Sequence, residues 1–142
     1  MYLLDTNVVS ELRKARSNKA SLNVVRWSRS VPASMLFLSV ISVLELEHGV
    51  LLVERRDPSQ GSKLREWLDR QVSPLFQGRI LSIDARIARV CAALHVPNRR
   101  PDRDAMIAAT ALVHGMTVVT RKTKDFHACG AAVLDPWAAD TA

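Results

Sequence analysis

The chain has 142 residues, 48% of them hydrophobic and 24% charged, the balance of an ordinary soluble globular domain with enough chain for a real core. No apolar run approaches the ~20 residues of a membrane helix, and Asp5 and Glu11 interrupt the N-terminus before a signal-peptide stretch develops. A net charge of +6 and a pI near 10.0 point to a polyanionic partner without naming it.

The first segment, MYLLDTNVVSEL, predicts a short buried strand at Tyr2-Leu3-Leu4 that stops on Asp5. Val8, Val9 and Leu12 then give a helix its apolar stripe. Asp5 or Thr6 is a natural cap for that helix. A strand feeding straight into a helix also puts Asp5 at the carboxyl edge of a sheet, where open α/β folds keep their ligands.

Further along, a helix is predicted over 22–31, ending before Pro32, and MLFLSV (35–40) reads as a wholly apolar strand. The segment 41–56 has helical period, with Ile41, Leu44, Val50, Leu51 and Val53 toward the core. DPSQG (57–61) is a turn cluster. A helix over 62–76 places Leu64, Trp67, Leu68 and Val72 on one face. RILSI (79–83) is a strand, and 84–96 a helix capped by Asp84. The charged loop NRRPDR (98–103) leads into an apolar helix over 104–115, closed by Gly115. MTVVT (116–120) and AAVL (131–134) are the last strands, joined by RKTKDF (121–126). The alternation predicts an α/β fold, a central parallel sheet of four to five strands between helices, in one domain over 1–142.

On that topology the acids recur at one edge. Asp5, Glu45 and Asp125 follow strands, and Asp104 opens a helix antiparallel to the strand after it, so all four can converge. Each has an ordinary reading of its own: a first-turn residue favoured by the helix dipole, a solvated helix residue, a turn former. Four carboxylates in one crevice repel each other, and stay ionised together only with a cation among them. Oxygen ligands without His or Cys suit Mg²⁺ or Mn²⁺ rather than zinc. His48, His95, His114 and His127 form no metal-ligand spacing, and Cys91 and Cys129 read as free thiols in a reducing cytosol.

Basic residues flank the acids: Arg99, Arg100 and Arg103 near Asp104, and Arg121, Lys122 and Lys124 near Asp125. A basic rim around a metal-filled acidic centre suits cleavage of a phosphodiester backbone. Neither GxxxxGK[ST] nor GxGxxG occurs. Asp102 and Asp104 stand about 200° apart on a helix, so only one can face the sheet. Asp104 shares its register with Ile107, Ala108 and Ala111, whereas Asp102, after Pro101, is the expected cap.

LLDTNVVSEL, SVISVLELEHG and DAMIAATALVHGMTVVTRKTKDF resemble, in order and spacing, the motifs of PIN-domain ribonucleases, specifically VapC-type toxins with their FitB-like branch. The resemblance runs from Met1 to about Pro136. It implies a PIN-like three-layer sandwich, with Asp5, Glu45, Asp104 and Asp125 as a catalytic quartet holding Mg²⁺ or Mn²⁺. It implies supporting roles for Thr6, Asn7 and Thr120. It also implies an RNA substrate, a cognate antitoxin and a homodimer. The basic rim of Arg99, Arg100, Arg103, Arg121, Lys122 and Lys124 is the expected contact for that RNA, and a cytoplasmic protein without a membrane partner is expected from the composition. One departure stands out: where the family usually has Asn after Thr120-Arg121, this chain has Lys122. Two other classes compete, a phospho-acceptor signalling domain and a non-catalytic RNA-binding module. The absence of a second acid beside Asp5 argues against the first, and the intact quartet against the second.

Overall fold

A computed structural model describes residues 1–138. Five strands, β1 (Tyr2–Leu4), β2 (Leu36–Ser39), β3 (Ile80–Leu81), β4 (Thr117–Val119) and β5 (Val133–Leu134), form one all-parallel sheet in the order β3-β2-β1-β4-β5. The central strand β1 is apolar throughout because both of its faces are covered. Leu4 packs into a core with Leu36, Leu38, Val119 and Val8, whereas Leu3 and Val118 face a second core built on Ile107, Ala108 and Phe126. Successive strand residues point to opposite faces, so two cores make three layers.

The strand order decides where a site can form. From β1 the chain moves to β2 and β3 on one side, and from β4 it moves to β5 on the other. The carboxyl ends of β1 and β4 therefore flank the point where the winding direction reverses, which opens a crevice. Leu4 pairs with Val119 there, and the next residues out are Asp5 and Thr120.

Eight α-helices are found among the described residues: α1 (Thr6–Arg13), α2 (Leu22–Ser30), α3 (Val40–Arg56), α4 (Pro58–Trp67), α5 (Ser73–Leu75), α6 (Ala85–Leu94), α7 (Asp102–His114) and α8 (Thr123–Ala128). A π-helical stretch, Leu68–Val72, joins α4 to α5, and Leu68 and Val72 are buried with Leu64 and Trp67 against them, as their spacing predicts. Asp84 caps α6 through Ile87 N at 2.9 Å, and Gly115 ends α7 with φ 65°, also as expected.

Three readings of the sequence change. DPSQG is no turn cluster. Asp57 alone reverses the chain, and its carboxylate caps α4 at Gln60 N (3.3 Å) while Pro58 takes the first helical position. Gly61 then lets α4 lie on α3, since a Cβ there would come within 2.4 Å of Glu54 Cα. On α3 the buried residues are Ile41, Ser42, Leu46 and Val50, whereas Leu44 and Leu51 are exposed. That helix carries apolar residues around most of its girth, so period alone cannot select the inner face. Finally, part of the 121–126 connection winds into α8, whose Phe126 is fully buried.

Candidate active site

Asp5 is the most enclosed charge at the crevice, 2% exposed. It caps α1, as the sequence allows, and it lies at the carboxyl edge of the sheet. Oδ1 accepts from Thr6 N at 2.8 Å at the start of α1, and Oδ2 accepts from the Thr120 hydroxyl at 2.8 Å across the sheet. Asn7 Nδ2 adds a longer bond to Oδ2 at 3.3 Å. Burial pushes the Asp5 pKa above its ordinary value, against the opposing pull of the Thr120 hydroxyl, the Lys122 charge and the Thr6 amide.

Glu45 approaches from α3. Its Oε1 accepts from the Thr6 hydroxyl at 2.8 Å, and that hydroxyl lies 3.0 Å from Ser42 Oγ. Arg103 Nη1 stands 3.7 Å from Glu45 Oε2. Thr6 thus touches both acids, one through its amide and one through its side chain. Asp104 is buried on the first turn of α7, and Ile107, Ala108 and Ala111 on the same face are fully buried, as predicted. Small alanines let that helix sit close to the sheet.

Lys122 completes the group. Its backbone amide donates to Thr120 Oγ1 at 2.9 Å, and its Nζ donates to Asp104 Oδ1 at 2.9 Å. Burial pushes the Lys122 pKa down, but the Asp104 hydrogen bond and the charges of Asp5, Asp104 and Glu45 outweigh it and hold the amine above its ordinary value. Among the described residues, no three Asp, Glu, His or Cys side chains converge closely enough to hold one metal ion. The donor chemistry nevertheless suits a hard divalent ion, being carboxylate oxygen alone. Asn7 Oδ1, buried without a hydrogen-bond partner, adds an uncommitted acceptor at the same cleft.

The remaining predicted residues divide. Asp125 is exposed on the first turn of α8, and its side chain, among the described residues, neither lines the cleft nor makes a hydrogen bond or ion pair. Arg121 and Lys122 line the cleft, and Arg103 reaches its edge through Glu45. Arg99 instead pairs with Asp102 at 3.2 Å, Arg100 is half-buried, and Lys124 is exposed. Asp102 is not the cap expected of it. Pro101 holds the cap position and Asp102 is the first helical residue, with its carboxylate turned to Arg99 and, at 3.8 Å, to His95. Both cysteines are free, Cys129 buried and Cys91 partly so, and burial raises both thiol pKa values.

The cleft itself, about 440 Å³, also takes in Ser10, Glu11, Lys14 and Trp137, none of them singled out from the sequence. Thr6, Asn7, Ser10, Glu11 and Lys14 are spaced as one polar face of a helix, so the first three turns carried that signal. Trp137 had none, because it arrives from the far end of the chain. The Arg121 guanidinium lies over its ring at 5.2 Å from the centroid.

A parallel sheet with buried acids at its winding reversal defines the class, and residues 2–130 match the PIN domain family. The chain belongs to that family. It is 39% identical over 146 residues to the plasmid stability protein StbB of Pseudomonas syringae pv. tomato, covering 98% of this chain and 100% of that one. It is 38% identical over 142 residues to toxin FitB of Neisseria gonorrhoeae, covering 96% and 99%. The VapC ribonuclease Y4jK of Sinorhizobium fredii is 36% identical over 145 residues, covering 96% and 98%. Among solved structures, FitAB bound to an IR36 DNA fragment superposes with a TM-score of 0.89 at 36% identity, covering 99% of this chain and 98% of that one.

Proposed function

We propose that this chain is a Mg²⁺- or Mn²⁺-dependent endoribonuclease and the toxin of a toxin–antitoxin pair. The observation that carries the reading is that Asp5, Glu45 and Asp104 all act on one ammonium, that of Lys122, at the crevice between β1 and β4, inside a chain of net charge +6. The names of the relatives support it, since FitB is a toxin and Y4jK a VapC ribonuclease. The similarity to FitAB, solved on a DNA fragment, supports a cognate antitoxin as partner. A homodimer belongs to the same reading, and light scattering on the purified chain tests it.

Asp5, Glu45 and Asp104 would hold the ion, and Asp125, exposed on α8 outside the cleft, is not part of that set. A bound ion there would supply Lewis-acid polarisation of the phosphate and a nucleophilic water at neutral pH. The chain's own residues do the rest. Thr120 and Thr6 fix the orientation of the Asp5 carboxylate, and the Thr6 hydroxyl fixes Glu45. Arg121 and Lys14 line the same cleft and meet phosphates by charge. The Trp137 ring, already under a guanidinium, offers a face for a base.

The test is cleavage of a mixed-sequence RNA by purified protein in Mg²⁺, in Mn²⁺ and in excess EDTA. Cleavage in either metal, abolished by chelator and by Asp104→Asn, is the expected result. RNA binding without metal-dependent cleavage would establish a binding module instead.

A further inference from the structure

The acids at the crevice face a cation that the chain carries itself. Lys122 lies two residues past Thr120, and its backbone amide is tied to the hydroxyl that also holds Asp5. Its side chain then turns into the cluster, with Nζ at 2.9 Å from Asp104 Oδ1. The charges of Asp5 and Glu45 also act on the ammonium. The other cation facing the cluster from α7, Arg103, reaches only Glu45 and at 3.7 Å. Among the described residues no three carboxylates gather tightly enough to enclose an ion by themselves, and a lysine stands hydrogen-bonded to one of the acids.

Partial exposure makes this arrangement reversible. The Lys122 side chain is 46% exposed while Asp104 is 11% exposed. The flexible four-carbon stem can therefore swing the ammonium into water, whereas the carboxylate is fixed in the wall.

We propose that Lys122 is a tethered counter-ion, seated among Asp5, Glu45 and Asp104 in place of a divalent cation and withdrawing when one binds. This rests on the reading that those acids bind a divalent ion. Two consequences separate it from a lysine that merely decorates the rim. Apparent metal affinity falls by the fraction of time the seat is taken, so a lysine seated nine-tenths of the time weakens it roughly tenfold. Removing the lysine leaves the acids unneutralised, so the metal-free protein loses stability and regains more of it on metal binding.

The experiment is calorimetric titration of Mn²⁺ into EDTA-stripped protein, for the parent, Lys122→Asn, Lys122→Met and Lys122→Arg, with melting curves in EDTA and in Mn²⁺. Both neutral variants should bind Mn²⁺ about tenfold or more tightly than the parent and show the larger metal-induced rise in Tm, while Lys122→Arg stays near the parent. Equal affinity in parent and neutral variants overturns the counter-ion and leaves the metal reading standing. No Mn²⁺ binding by any of the folded proteins overturns both. A measurement on the parent fold guards against variants that fail to fold: nitrogen-15 lysine spectra during Mg²⁺ titration, with Lys122→Arg assigning the signal. The Lys122 ammonium should move to the position of a solvated lysine in step with binding. A signal unmoved at saturation overturns the proposal.

Discussion

The Thr120 hydroxyl donates to Asp5 Oδ2 at 2.8 Å, joining the ends of the two strands that flank the winding reversal. It is a fully buried group serving a nearly buried carboxylate, and it also accepts from the Lys122 amide. Thr120→Val keeps the shape and removes both functions. A buried acceptor left without its donor costs about 1–3 kcal/mol. Thr120→Val should therefore melt several degrees lower and lose most RNA cleavage, whereas Thr120→Ser recovers much of both. Parent-like stability in the valine variant would show that the bond contributes nothing.

Asp5 sets a pH dependence of stability whose sign follows from its burial. The folded chain holds the Asp5 proton more tightly than the unfolded chain does, because burial raises the pKa above the ordinary 3.8. Its contribution to stability is fully present below that value and is lost as pH rises through the folded pKa. Asp5→Asn removes the charged form altogether, and a turned Asn7 amide can present its unpartnered Oδ1 to the new donor. In EDTA at pH 7 this variant should melt above the parent by on the order of 2–4 °C for each kcal/mol relieved, and the gap should close near pH 4. It should not cleave RNA. A gap that ignores pH would refute the assignment to Asp5.

The basic residues separate by position. Arg121 and Lys14 line the cleft, whereas Arg99 is turned to Asp102. Neutralising Arg121 and Lys14 together, as glutamines, should lower the salt dependence of RNA binding by roughly 0.7 in log–log slope for each phosphate no longer neutralised. Arg99→Gln should leave the slope nearly unchanged. Equal effects from both changes would mean that the cleft does not lie on the path of the RNA.

The order of elements and the edge of the sheet were legible in the sequence because strands and helices alternate and carry different periods. Topology alone places Asp5, Glu45 and Asp104 at that edge, without any knowledge of side-chain geometry. What escaped was information that is not local. The inner face of α3 was hidden by apolar residues around the helix, and it is settled by α4 folding back at Asp57. Trp137 joins the cleft from more than a hundred residues beyond α1. Lys122 was visible as a departure from a family pattern, but its hydrogen bond to Asp104 depends on how far α7 approaches the end of β4.

The two acids at the start of α7 offer the sharpest separation of site from scaffold. Asp104 is buried and shares its face with Ile107, Ala108 and Ala111, all fully buried, so its carboxylate meets Lys122 beside Asp5. Asp102 lies on another face with a half-exposed carboxylate, held by Arg99 and near His95. Since Pro101 is the cap, Asp102 contributes through a surface ion pair and the helix dipole rather than through capping bonds. Such pairs are worth about 0–1 kcal/mol. Asp102→Ala should thus shift Tm by no more than a few degrees, with the larger part of any loss removed by salt, and RNA cleavage should persist. Asp104→Asn should fold and lose cleavage. Rates and melting curves for both variants, at low and high salt, decide the matter. An inactive but stable Asp102→Ala beside an active Asp104→Asn would move the site to the other face of α7.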